Sequence, residues 1–287
     1  MVLSVPEQVN KKANKMKKLI LIIVLWLLSM NNNGQEHSGR NTLSLNFGPG
    51  YIVRQDLIFS PVTHKDFSFL NLGLEYQRDA FYYQKLKVGF ATFTPGITVP
   101  FEFSEHGESK TASPHYFTLF DLDYLIGKSI SKNENPVILG LLFSTDIQLL
   151  DYVYGRIGNF GFFSSIGLGG FVKKEFHISD KSSVSGKLQL PFISWLARSP
   201  YLVNDDEFIE NISSHSDFKS FLEFLKDGKW NTLNHLQIFN LEFKYHYEIN
   251  HRWGIGAGYS FEFTHAVKPR NLLSFRNSFD FSVNLKF

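Results

Sequence analysis

The sequence predicts an all-β protein, an up-and-down antiparallel transmembrane β-barrel of about ten strands with a partly helical extracellular loop. Three observations predict it. Hydrophobicity alternates with a period of two along nearly the whole chain after residue 35. Thirty Phe and twelve Tyr stand against three Met, a composition that favours strands. The polar face of the alternating segments carries glycines and charges of both signs, which suits an enclosed lumen better than a solvated exterior.

The N-terminus reads as an export signal. Lys17 and Lys18 precede the apolar run Leu19 to Leu28, and the polar stretch SMNNNGQEHSG follows. The run is too short to cross a bilayer as a helix, so residues 1–34 are expected to be removed near Gly34 and Gln35 rather than to anchor the chain. A chain starting at Met16 would have an n-region of ordinary length. With no cysteine after the apolar run, a lipid anchor is excluded, and a disulfide framework is excluded with it. The removed segment holds five lysines and one glutamate, so the formal charge passes from +2 to −2, which removes support for a nucleic-acid partner. Residues 35–287 then form one barrel domain.

The strands follow in order. TLSLNFGPGY sets Leu43, Leu45, Phe47 and Tyr51 against Thr42, Ser44, Asn46, Gly48 and Gly50, and LNLGLEYQ sets Leu70, Leu72, Leu74 and Tyr76 against Asn71, Gly73, Glu75 and Gln77. KLKVGFATFTPGITV, HYFTLFDLDYLIG, VILGLLFSTDIQ, FFSSIGLGGFVKKEF, SVSGKLQLPFISWL, HLQIFNLEFKYHYEI, WGIGAGYSFEFTH and SFRNSFDFSVNLKF continue the pattern. Most reach the roughly 9 to 11 residues that a tilted transmembrane strand needs. The connections RDAFYY, SKNENP, HISDKSS and INHRW are short, and longer segments alternate with them, including VRQDLIFSPVTHKD, PFEFSEHGESKTASP and residues 198–232. That alternation places the long loops at one end, with both termini at the other.

Alternation alone does not say which face is outside; the glycines do. Ile255, Ala257, Tyr259, Phe261 and Phe263 oppose Gly254, Gly256, Gly258, Ser260 and Glu262, and small residues relieve crowding inside a narrow barrel. Glu242, Lys244, His246, Glu248, Glu262, Arg276, Asp280 and Lys286 share the inner face and offer ion pairs across a lumen. Tyr51, Tyr76, Tyr245, Tyr247 and Phe287 supply aromatic density near strand ends on the outer face, as an interfacial girdle requires.

The closing segment, with Phe275, Phe279, Phe281, Val283, Leu285 and terminal Phe287 at alternate positions, resembles the C-terminal signature of Gram-negative outer-membrane β-barrel proteins. The resemblance implies residence in the outer membrane, contact with its lipid, and recognition of the last strand by the barrel-assembly machinery. It holds for the class and names no particular family.

No residue pattern defines a catalytic, cofactor or metal site. His265 in FTHAVKPRN lies at the outer end of its strand, where outer-membrane acyl hydrolases hold a His-x-Ser-Asn element, but Val267 and Lys268 stand in place of Ser and Asn. Ser274 and Asn271 lie nearby in sequence, and a serine nucleophile needs its base within hydrogen-bond reach. Asp121 and Asp123 share a face with Asp146 on the next strand. With Lys87, Lys173 and Lys187 nearby, the reading is a salt-bridge network filling the barrel rather than acid/base chemistry. His235, His246, His251 and His265 lack metal-ligand spacing, and GIGAG and GLGG are strand glycines. In the loop 198–232, Asn204 with Glu207 resembles a capping box. Phe218, Phe221, Leu222 and Leu225 share a helical face that Gly228 would end, so two short helices are expected, whose apolar faces cap the barrel mouth by default, the alternatives being to lie on the outer leaflet or to dock a partner. The functional expectation is a structural, adhesion or accessory outer-membrane protein, with a protein or glycan partner at loop 198–232. The alternatives are a lipid-acyl hydrolase using His265 and a narrow solute channel.

Overall fold

The computed structural model describes residues 40–96, 102–105, 108–111, 115–131, 135–154, 157–199 and 225–287. Its strands are β1 (Arg40–Asp56), β2 (His64–Asp79), β3 (Tyr83–Phe93), β4 (Glu102–Glu105), β5 (Glu108–Thr111), β6 (Tyr116–Ser129), β7 (Val137–Tyr154), β8 (Ile157–Ser179), β9 (Ser182–Arg198), β10 (Lys229–Thr232), β11 (Leu236–Glu248), β12 (Trp253–Ala266) and β13 (Leu272–Lys286). Ten of them form the wall, each antiparallel to its neighbours. The hairpin β4–β5 forms a separate two-stranded sheet, and β10 pairs with the upper part of β9. The cylinder closes where β13 pairs with β1 from Thr42↔Lys286 to Asp56↔Leu272. Closure satisfies both edges, which in hydrocarbon would otherwise cost several kcal/mol per unpaired group. Each of the ten predicted strands corresponds to one wall strand.

The wall is inside out relative to a soluble barrel. Leu43, Leu45, Phe47, Leu72, Leu74, Phe279 and Phe281 are exposed on the outer face, while Ser44, Asn46, Glu75, Lys187, Glu242, Arg276 and Asn284 are buried. The outer face also carries ring contacts between neighbouring strands, including Phe47–Phe281, Tyr259–Phe279 and Phe263–Phe275. Tyr51, Tyr245, Tyr247 and Phe287 point outward, and Tyr76 donates its hydroxyl to Asn41 Oδ1 at 3.1 Å. The lumen glycines are needed for space. A Cβ on Gly254 would lie 2.5 Å from His246 Cε1, and one on Gly256 would lie 2.4 Å from Ser282 Oγ.

Three sequence expectations are corrected. Strands β7 and β8 run to Tyr154 and from Ile157, so the segment expected as a long loop between them is mostly wall. The connection 57–63 is no longer than 130–136, and 267–271 is short. The strict long–short alternation therefore fails, and the asymmetry rests on the segments after β3 and β9. Strand β3 ends at Phe93 instead of continuing to Val99. The predicted helices fall mainly on 200–224, outside the described residues, as does the export segment 1–34. From that loop, Leu225–Gly228 is a single turn closed by Gly228 N–H donating to Leu225 O at 3.3 Å.

Candidate functional site

The candidate site is the lumen. At its middle, four lysines surround two glutamates. Register places Glu242 beside Lys187 and Glu75 beside Lys87. Lys187 Nζ lies 3.0 Å and Lys85 Nζ 3.3 Å from the Glu242 carboxylate, with Lys244 at 3.9 Å and Lys87 at 4.0 Å. Glu75 in turn holds Lys244 at 2.6 Å and Lys85 at 2.9 Å. Strand geometry causes this: alternate residues of four strands, β2, β3, β9 and β11, project inward, so opposite charges meet across the tube.

A second layer lies toward the end of the barrel that carries the segments after β3 and β9, here termed the outer end. Arg276 Nη2 bonds Asp121 Oδ2 at 2.5 Å, and its Nε donates to Glu262 Oε2 at 2.6 Å. Asp121 and Asp146 face each other in register. Asp146 Oδ2 accepts from Gln148 Nε2 at 2.8 Å, its Oδ1 is buried without a hydrogen-bond partner among the described residues, and the residue is one of those lining a cavity of about 30 Å³, room for one water. Asp123 accepts from Gln189 Nε2 at 3.2 Å. The structural network expected for these aspartates is present, but the partner of Asp121 is Arg276. Lys187 and Lys87 serve Glu242, and Lys173 pairs with Glu175 at 3.0 Å. Below the lysine layer, at the end where β1 starts and β13 ends, a cavity of about 200 Å³ is lined by both signs of charge, and the Lys286–Glu248 pair lies on its rim.

The outer end is closed differently, by aromatic and apolar side chains. Ile52, Ala91, Phe93, Phe117, Leu119, Leu150 and Tyr152 form a buried cluster, and Phe59 of the connection 57–63 turns inward to stack on Tyr152 with ring centroids 4.5 Å apart. Asp56 shapes that connection. Its Oδ1 accepts from Ile58 N at 3.1 Å, an Asx turn, while its main-chain oxygen accepts from Phe59 N and Ser60 N. The same carboxylate receives Arg54 Nη2 and Arg198 Nη2, each at 3.0 Å, and Arg54 also donates to Gln148 Oε1 and Tyr152 Oη. Among the described residues the cap is built by β1, β3, β6, β7 and the connection 57–63; the cap expected from loop 198–232 falls mainly on residues 200–224, outside the described residues.

His265 and Ser274 do not meet. Its ring lies on the outer face with Nδ1 3.4 Å from Gln237 Oε1, whereas Ser274 pairs with Thr264 and both face the lumen. Adjacent residues in a strand point to opposite faces, so the wall itself stands between the imidazole and this hydroxyl. His235, His246, His251 and His265 are scattered, and among the described residues no group of three His, Asp or Glu side chains is arranged to hold a metal. Sequence reasoning missed Arg54, Asp56, Phe59, His64, His115 and Tyr152, whose grouping arises only once β1, β2, β6 and β7 meet.

A closed antiparallel wall with apolar side chains outward and charged side chains inward is the architecture of the outer-membrane β-barrel class. No protein family matches the sequence, and no curated protein matches it. Among solved structures, the chain is similar to the translocator domain of the autotransporter NalP from Neisseria meningitidis at 12% identity, covering 97% of this chain and 98% of that one with a TM-score of 0.41. It is also similar to the outer membrane protease OmpT from Escherichia coli at 8% identity, covering 90% and 99% with a TM-score of 0.40. A third is the attachment invasion locus protein Ail of Yersinia pestis, at 9% identity, 87% and 99% coverage and a TM-score of 0.29.

Proposed function

We propose that this protein is exported by removal of residues 1–34 and resides in the outer membrane of a Gram-negative cell. There it acts as a non-conducting barrel with a structural, adhesion or accessory role carried by its outer loops. The observation behind this reading is the filled lumen: the Glu242–Lys187 and Arg276–Asp121–Glu262 layers cross the tube below an aromatic cap. A solute would have to break buried ion pairs to pass, which costs several kcal/mol per uncompensated charge. Lipid contacts the outward Phe and Leu rows, and a protein or glycan partner would engage loop 198–232.

Two measurements test this. Purified protein reconstituted in a planar bilayer at neutral pH is expected to give no sustained conductance; steady porin-like currents would instead establish a channel. An epitope tag placed between Arg198 and Thr232 is expected to bind antibody on intact cells, and a tag reached only after lysis would invert the topology.

A further inference from the structure

The cap over the outer mouth contains two buried imidazoles. His64 opens β2 and His115 immediately precedes β6; their rings meet edge to face with centroids 4.6 Å apart, and both residues are almost fully buried. His64 also lies against Tyr152 at 5.2 Å and Phe117 at 6.0 Å, and Tyr152 is the ring on which Phe59 stacks. The charged and titratable groups facing this pair are Arg54 and Asp56 of β1, which is register-paired with His64 through Arg54↔His64, and Tyr152 of β7. Arg198 of β9 reaches Asp56, and Asp66 of β2 is turned away to Thr94 N–H. His64 Nδ1 has no hydrogen-bond partner among the described residues. The cluster sits at the rim beyond the Phe and Leu rows: the outward residues at its level are Lys65, Gln55 and Asp151 together with Tyr116, a residue type of the membrane interface.

We propose that the His64–His115 pair is an acid-sensitive latch on the outer cap, releasing the connection 57–63 and its Phe59 plug when both rings become charged. Two imidazoliums at van der Waals contact beside the Arg54 guanidinium would put three cations against the single Asp56 carboxylate, which Arg198 already shares. Opening lets both rings hydrate and takes Phe59 off Tyr152. The ion-pair layers deeper in the lumen are untouched, so the latch exposes an outer vestibule without making a through-pore.

The sign follows from proton uptake. Burial, then His115 and Arg54, push His64 down to about 4 from an ordinary 6.5, and burial also pushes His115 down. The open cap therefore binds more protons than the closed cap across that interval, and closure is lost as pH falls from about 6.5 toward 4. For His64 alone, the open-to-closed ratio at pH 5 should rise roughly twentyfold over its value at pH 7.

The chain has no cysteine, so a nitroxide at Val62→Cys reports on the cap alone. In detergent-solubilised full-length barrel, the mobile component of its spectrum is expected to grow reversibly between pH 7.5 and 4.5 while the strand signal in circular dichroism is unchanged. Phe59→Ala should make the label mobile at both pH values, showing that it senses the plug. His64→Gln with His115→Gln should flatten the pH response, and His115→Gln alone should make it shallower if the double variant does not fold. A spectrum independent of pH, a response that survives in the glutamine variants, or loss of strand signal over the same interval would each overturn the latch.

Discussion

Replacing Glu242 by Leu is expected to be among the most damaging single changes in the molecule, with a loss of about 4 kcal/mol or more in unfolding free energy. The carboxylate is only 10% exposed and lies within 4.0 Å of four lysine ammonium groups. Removing it leaves Lys187, itself 3% exposed, without the carboxylate it bonds, and leaves Glu75 to serve the remaining cations. Breaking one side of a buried pair strands the other charge, which costs more than the pair ever contributed. The double change Glu242→Leu with Lys187→Leu should therefore recover a substantial part of the loss, a coupling that a double-mutant cycle in urea-unfolded, refolded barrel measures directly. A single-variant effect below about 1 kcal/mol would show that water rather than protein satisfies these lysines.

That network was only partly legible beforehand. The inward set Glu242, Lys244, Glu262, Arg276 and Lys286 could be read from parity because a strand allows each residue only two directions. Which charge meets which depends on how ten strands stagger around the tube, so Asp121 found Arg276, 155 positions away in sequence, instead of the lysines expected. Strand ends were hidden for a different reason. In the outer half of the barrel the interior turns apolar: Leu150 and Tyr152 face inward while Asp151 faces out, reversing the polarity that Leu141 to Gln148 established. The alternation loses contrast there, so hydrophobic periodicity stops short of the strand boundary at both β7 and β8. The cap failed to show for a related reason, since Arg54, Phe59, His64, His115 and Tyr152 have no spacing in common and meet only through closure.

Deleting Ser282 to Phe287 is expected to abolish the folded barrel, recovered as loss of the heat-modifiable fast-migrating band and of resistance to urea extraction from membranes. These residues pair with Thr42 to Asn46 of β1 on one side and with Trp253 to Gly256 of β12 on the other, and the seam is fastened by Asn41 N–H to Phe287 O and Phe287 N–H to Asn41 O, at 3.2 and 3.0 Å. Lys286 also pairs there with Glu248. Every backbone group so released would face hydrocarbon or an open edge, at several kcal/mol each, against a total stability of only about 5 to 15 kcal/mol for an ordinary domain. Phe287→Ala separates two roles of the same end. The ring is half exposed on the outer face, and its removal leaves the backbone seam intact, so refolding into micelles should be nearly as complete as for the parent chain. If the cell reads the aromatic terminus during assembly, the same substitution should lower the yield of barrel in membranes severalfold while leaving refolding in vitro unchanged. Equal losses in both assays would instead assign the ring to the stability of the wall.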